Sequence, residues 1–355
     1  MTRTPRLPGP AATVAALASC ALLGVALLGP PAAAAPGPDT RPTAVVALGD
    51  SVASGEGAGD YEEGTRGEGG NWCHRSPHAY VHRTGLADRS VNLACSGADS
   101  ADVAFGAGTD NAEGSQAQRL VAVATEYRVT TVLVQLGSND DAALVDTAIA
   151  CIRAFLDVTT PPCRETIGPL LDERMAATAA KVEHAVGDVR RAMDRAGYRR
   201  DAYDLVLASY ASASTEHMVG VPALIGCPYS RADAGWGRTT LFPRLSATLA
   251  GVAERTGARF LDMARATEGF EACSRVDPAQ EWQRRITVDA HAFAYGGLDA
   301  AAYHVAAESF HPSAAGHAAF AGCVGEFVRS ALPAAGCVPV DGRLQVQRTV
   351  QTPAA

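Results

Sequence analysis

The chain has 355 residues and a formal charge of −8, enough length for one large α/β domain or two small ones. Its positive charges form no run and do not interleave with aromatic residues, which excludes a nucleic-acid partner. Past the amino terminus no stretch approaches 18 continuous apolar residues, so no membrane span is expected in the mature protein.

Residues 1–35 read as a secretory signal peptide: Arg3 and Arg6 precede an apolar run from Ala11 to Leu28, and Pro30–Ala35 offers small-residue cleavage sites. Leu17-Ala18-Ser19-Cys20 also fits a lipoprotein site that would leave Cys20 lipidated. The apolar run continues past Cys20 to an Ala-rich end, which favours a freely secreted protein. Removing Arg3 and Arg6 takes the charge to −10. Residues 36–42 are Pro-rich and read as a disordered leader, and the tail 341–355 reads as disordered too.

Apolar runs at Thr43–Leu48, Thr130–Leu136, Tyr203–Ser209 and Arg259–Met263, with a weaker one at Ser90–Ala94, predict parallel strands. Helical spacing at Leu170–Ala196, Leu241–Arg255 (stopped by Gly257) and Ala314–Leu332 (halted by Pro333) alternates with them. Strands alternating with such helices imply a single α/β domain over 43–340 with a parallel sheet covered on both faces. The stretches Glu56–Asn71, Ser212–Arg238 and Thr267–Ser309 are long, and loops of that length are usually functional.

Eight cysteines remain after the leader, an even number that argues for disulfides. Nearest-neighbour pairing is the simplest scheme: Cys73–Cys95, Cys151–Cys163, Cys227–Cys273 and Cys323–Cys337, each contributing about 2–4 kcal/mol. Zinc is the competing reading, weakened by the lack of any Cys-x-x-Cys pair.

Gly49-Asp50-Ser51 closes the first strand and sets a hydroxyl at its carboxyl end, where open α/β sheets place reactive groups. By itself such a serine is equally a turn residue; as a nucleophile it needs a base and oxyanion donors. Gly97, in Cys95-Ser96-Gly97-Ala98, offers a backbone N–H that a substrate could approach closely. Asn139, in Gly137-Ser138-Asn139-Asp140 after the second long strand, offers a side-chain amide, or else an Asx turn or helix cap. His311 stands in Glu308-Ser309-Phe310-His311-Pro312, and Pro312 keeps it out of the helix that follows. His317, one turn into that helix, reads as packing or capping. His74, His78 and His82 recur every fourth residue, but Pro77 interrupts the helix a metal site would need. Asp50 reads as structural and Asp60-Tyr61-Glu62-Glu63 as a solvated face.

Taken in order, Gly49-Asp50-Ser51, Gly97, Gly137-Ser138-Asn139 and His311 resemble the SGNH (GDSL) hydrolase superfamily. With Asn71-Trp72-Cys73-His74 and the cysteines, the chain is similar to secreted actinobacterial esterases and lipases. The resemblance implies a flavodoxin-like α/β/α fold, Ser51 as nucleophile, His311 as base, and an oxyanion hole from the Ser51 and Gly97 N–H groups and Asn139. Many members carry Asp three residues before the histidine; here it is Glu308. The acceptor that orients His311 is therefore either the Ser309 carbonyl, the favoured choice, or Glu308. The expectation is a monomeric secreted enzyme that needs no cofactor or metal and cleaves small-molecule or lipid esters. A carbohydrate acetyl-esterase, an acyltransferase and a non-catalytic binding module are the alternatives.

Overall fold

A computed structural model describes residues 39–106, 111–289, 304 and 306–348. The signal peptide, Cys20, Pro36–Pro38 and the tail from residue 349 lie outside the described residues. Among the described residues seven strands form one sheet: β1 (Thr43–Gly49), β2 (Arg89–Asn92), β3 (Arg128–Gln135), β4 (Asp204–Ala208), β5 (Arg259–Asp262), β6 (Ala334–Val340) and β7 (Arg343–Gln347). Their spatial order is β2-β1-β3-β4-β5-β6-β7; the first six are parallel and β7 runs antiparallel to β6.

The helices are α1 (Ser51–Ser54), α2 (Ser100–Val103), α3 (Gln116–Glu126), α4 (Leu144–Leu156), α5 (Cys163–Ile167), α6 (Leu171–Arg195), α7 (Arg231–Trp236), α8 (Phe242–Thr256) and α9 (Ala314–Arg329). Alternation along β1 sorts the core. Ala44, Val46 and Leu48 join one apolar cluster with Leu120 of α3, Val182 of α6 and Leu249 of α8. Val45 and Ala47 join the other with Phe320, Val324 and Phe327 of α9. Helices therefore cover both faces, and β1 is buried almost throughout, as a parallel central strand requires. Gly257 ends α8 with φ of 67°, the left-handed cap its position predicted.

Four cysteine pairs are bonded, Cys73–Cys95, Cys151–Cys163, Cys227–Cys273 and Cys323–Cys337, which leaves these eight thiols to disulfides rather than zinc.

Three expectations need correction. Residues 343–347 are not a disordered tail: β7 pairs with β6 from Gly336↔Gln347 to Val340↔Arg343, turning through Asp341 and Gly342 at positive φ. The leader is ordered at its end, where the Arg41 guanidinium donates to the Ala124 and Thr125 carbonyls at the end of α3. Ser212–Arg238 is only partly loop, since it contains α7, capped by Ser230.

The order 2-1-3-4-5 reverses direction between β1 and β3. In open α/β sheets ligands bind beyond the strand ends at such a switch point.

Candidate active site

The turn after β1 is dictated by crowding against β3. Gly49 has φ of +132°, and a Cβ there would lie 1.8 Å from the Gln135 carbonyl oxygen, so only glycine fits. The Gln116 amide grips Gly49 at both ends, accepting from its N–H at 2.8 Å and donating to its carbonyl at 2.9 Å. Asp50 then caps α1 by accepting from Val52 N–H, which makes Ser51 the first residue of that turn of helix. The Ser51 N–H is thus one of the amides a helix start leaves without an intrahelical acceptor.

Asp50 itself is fully buried and accepts from Ser138 Oγ at 2.6 Å and from the Tyr210 hydroxyl. Burial pushes its carboxyl up to about 6, against the downward pull of those donors. It never reaches solvent, in keeping with a structural role.

His311 is delivered by a constrained loop. Phe310 has φ of 62°, an unusual conformation for a bulky residue. The segment is pinned to a neighbouring one, with Phe310 N–H donating to the Arg284 carbonyl at 3.1 Å and Arg284 N–H to the His311 carbonyl at 2.8 Å. Ser313 caps α9 directly after Pro312, so the imidazole stands just ahead of the helix. Its Nε2 lies 2.7 Å from Ser51 Oγ and its Nδ1 3.2 Å from the Ser309 carbonyl. A carbonyl only accepts, so Nδ1 carries the proton and Nε2 is free to take the serine's. Glu308 is engaged elsewhere, with Tyr61 and Arg284. Burial lowers the His311 pKa below 6.5.

The Asn139 and Gly97 segments are joined by a hydrogen bond. Asn139 Nδ2 donates to the Ala98 carbonyl at 2.9 Å, which fastens the end of β3 to the Gly97 loop and leaves its second N–H to point elsewhere. Gly97 is exposed with φ of +83°, and a Cβ there would meet nothing within 4 Å, so conformation rather than space calls for glycine. Cys73–Cys95 staples this loop two residues earlier.

The three histidines at fourfold spacing go separate ways: His74 to Glu56, His78 to Asp60 and His82 to Ser90. Among the described residues no cluster of three His, Cys, Asp or Glu side chains could hold a metal ion. His317 is wholly buried and stacks with Tyr80. The acidic stretch 60–63 is a solvated face only in part: its three acids are exposed, but Tyr61 turns inward. Sequence reasoning missed Tyr210 behind Asp50 and the interior placing of Glu56 and Arg284, and it weighed His74 only as a metal ligand or motif residue. Glu56 left a trace, as an acid between two glycines one turn past Ser51.

Residues 47–319 match the model of the GDSL-like lipase/acylhydrolase family. The chain is 27% identical to Lipase 2 of Streptomyces coelicolor, over 76% of this chain and 85% of that protein. An extracellular lipase from Streptomyces rimosus has a similar structure at 24% identity, covering 78% of this chain and 94% of that one with a TM-score of 0.49. Phospholipase A1 from Streptomyces albidoflavus follows at 22%, covering 77% and 94% with a TM-score of 0.48.

Proposed function

The chain belongs to the GDSL-like lipase/acylhydrolase family, and we propose that it is a secreted serine hydrolase that cleaves carboxylic esters through an acyl-enzyme on Ser51. The observation that carries this reading is the 2.7 Å approach of His311 Nε2 to Ser51 Oγ, with Nδ1 held by a carbonyl. In the proposed sequence Nε2 takes the Ser51 proton as Oγ attacks the ester carbonyl, then gives it to the departing alcohol oxygen. Water, deprotonated by the same nitrogen, releases the acid. The oxyanion is held by the N–H groups of Ser51 and Gly97 and by Asn139 Nδ2.

Secretion is supported by residues 1–35 read as a leader and by four disulfides, which persist in oxidising compartments. Lipid esters are the favoured substrates, since the curated relative is a lipase. Among the described residues no helix is long and apolar enough to cross a membrane.

A fluorophosphonate probe tests the core of the proposal. The wild-type protein labels and Ser51→Ala does not; a wild-type protein that stays unlabelled defeats the assignment. A hydrolysis profile across p-nitrophenyl esters of rising acyl length and across phospholipids then separates lipase from short-chain esterase.

A further inference from the structure

Beside His311 lies a buried polar network that none of these steps uses. Glu56, His74, Tyr61 and Glu308 are 0, 1, 8 and 9% exposed. His74 Nδ1 sits 2.8 and 3.1 Å from the two Glu56 oxygens. The Tyr61 hydroxyl lies 3.0 Å from Glu56 Oε1 and 2.7 Å from Glu308 Oε1, and accepts from Gly57 N–H at 3.0 Å. Arg284 closes the set, with Nη1 3.2 Å from Glu308 and Nε donating to the Gly57 carbonyl.

The chain segments that carry the network run beside His311 on two sides. Glu56 N–H donates to the Ser51 carbonyl at 2.9 Å, and a Cβ on Gly57 would fall 2.9 Å from His311 Cβ. From the other side, His311 N–H donates to the Glu308 carbonyl at 3.3 Å. Stability is a weak reason for such an arrangement, because a buried ion pair commonly does no better than apolar side chains of equal volume. Catalysis supplies a stronger one. When Nε2 takes the serine proton, His311 becomes a half-buried cation whose Nδ1 faces the neutral Ser309 carbonyl. A cation there requires a counter-charge.

We propose that Glu56 and Glu308, one on either side of the Tyr61 hydroxyl, are positioning residues that supply this negative charge from a distance and so stabilise the His311 cation. The inference rests on the Ser51–His311 reading. Among the influences on His311, burial lowers its pKa most, and the Glu56 carboxylate is the strongest one opposing it, with the Ser309 and Ala307 carbonyls and then Glu308 behind. Their partners complete the balance. His74 draws the Glu56 carboxyl down to about 2 despite burial, and Arg284 pairs with Glu308 at 3.2 Å. His317, also near His311, brings no charge, because burial drops it to about 3.

The test is the pH dependence of fluorophosphonate labelling, which reads His311 deprotonation, with ester hydrolysis and thermal unfolding alongside. Glu56→Gln moves the acid limb about one pH unit lower and cuts the plateau rate about tenfold, each the equivalent of one pKa unit of lost cation stabilisation. Glu56→Asp restores most of both, and Glu308→Gln shifts the limb the same way by less. A folded Glu56→Gln protein with an unmoved limb and a rate within about twofold of wild type overturns the inference, by the same scale of effect. If Glu56→Gln does not fold, Glu308→Gln decides by the same criterion. A wild-type protein that never labels overturns the nucleophile assignment and this inference with it. A wild type that labels beside variants with unmoved limbs overturns this inference alone.

Discussion

Replacing Gly49 by alanine is the sharpest test of how the nucleophile is placed. The new Cβ would stand 1.8 Å from the Gln135 carbonyl oxygen and 2.7 Å from its carbon, both backbone atoms of β3, which no side-chain rotation relieves. The residue would also be held at φ of +132°, costing about 1–3 kcal/mol in strain. Separating β1 from β3 breaks the Asp50 N–H bond to the Gln135 carbonyl, 3.1 Å long, and loosens both bonds from the Gln116 amide. At about 1 kcal/mol per hydrogen bond, the total comes to about 4–6 kcal/mol. At about 2–4 °C per kcal/mol, a fall in Tm of about 8–24 °C is expected. Gly85→Ala is the control: φ is +63° but nothing lies within 4 Å, so it carries strain alone and costs about 1 kcal/mol. Thermal unfolding by circular dichroism with disulfides intact measures both, and fluorophosphonate labelling at low temperature reports whether Ser51 still meets its base. A Gly49→Ala protein that melts with the Gly85→Ala protein and labels normally would show that the close approach does not set this turn.

Three further outcomes follow from the same geometry. Asn139→Ala removes one oxyanion donor and lowers kcat for a p-nitrophenyl ester by about 100- to 1000-fold; unchanged hydrolysis means the amide faces no developing charge. Because burial depresses His311, its neutral, competent form persists below the usual histidine range, so kcat/KM falls only as pH drops beneath 6.5. An acid limb centred above that value contradicts the assigned environment. Replacing Cys227 and Cys273 together by serine opens a loop of 46 residues and costs about 3–4 kcal/mol, read from chemical denaturation, with Tm falling in step.

What the sequence made visible is what is local. β1 carries five consecutive apolar residues, Ala44–Leu48, ahead of Gly-Asp-Ser, and Gly257 and Pro312 punctuate helices through their own backbone preferences. The even, widely spaced cysteines made their pairing the simplest guess. β7 escaped because Arg343-Leu344-Gln345-Val346-Gln347 alternates apolar and polar residues over only five positions next to a polar terminus. An edge strand of that kind is recognised by its partner, β6, more than by its own composition. The network at Glu56 escaped for a different reason. Its members come from residues 56, 61, 74, 284 and 308, and no spacing rule joins acids, a tyrosine and an arginine across more than 250 positions.

Asp50 shows how the local and the distant combine. It precedes Ser51 by one residue and Ser138 precedes Asn139 by one, and the 2.6 Å bond between Ser138 Oγ and the Asp50 carboxyl joins the two turns directly behind the two site residues. Tyr210, just past the end of β4, donates to the same carboxyl and also accepts from Ser138 N–H at 3.2 Å. Three neighbouring strands are thereby tied to one buried group at their carboxyl ends. Lone loops could place a serine and an amide near each other only at the expense of ordering entropy on each turnover. Here the separation of Ser51 from Asn139 is inherited from a closed set of hydrogen bonds in the folded sheet. The acid of the Gly-Asp-Ser turn therefore holds the Ser51 and Asn139 turns in register from a fully buried position.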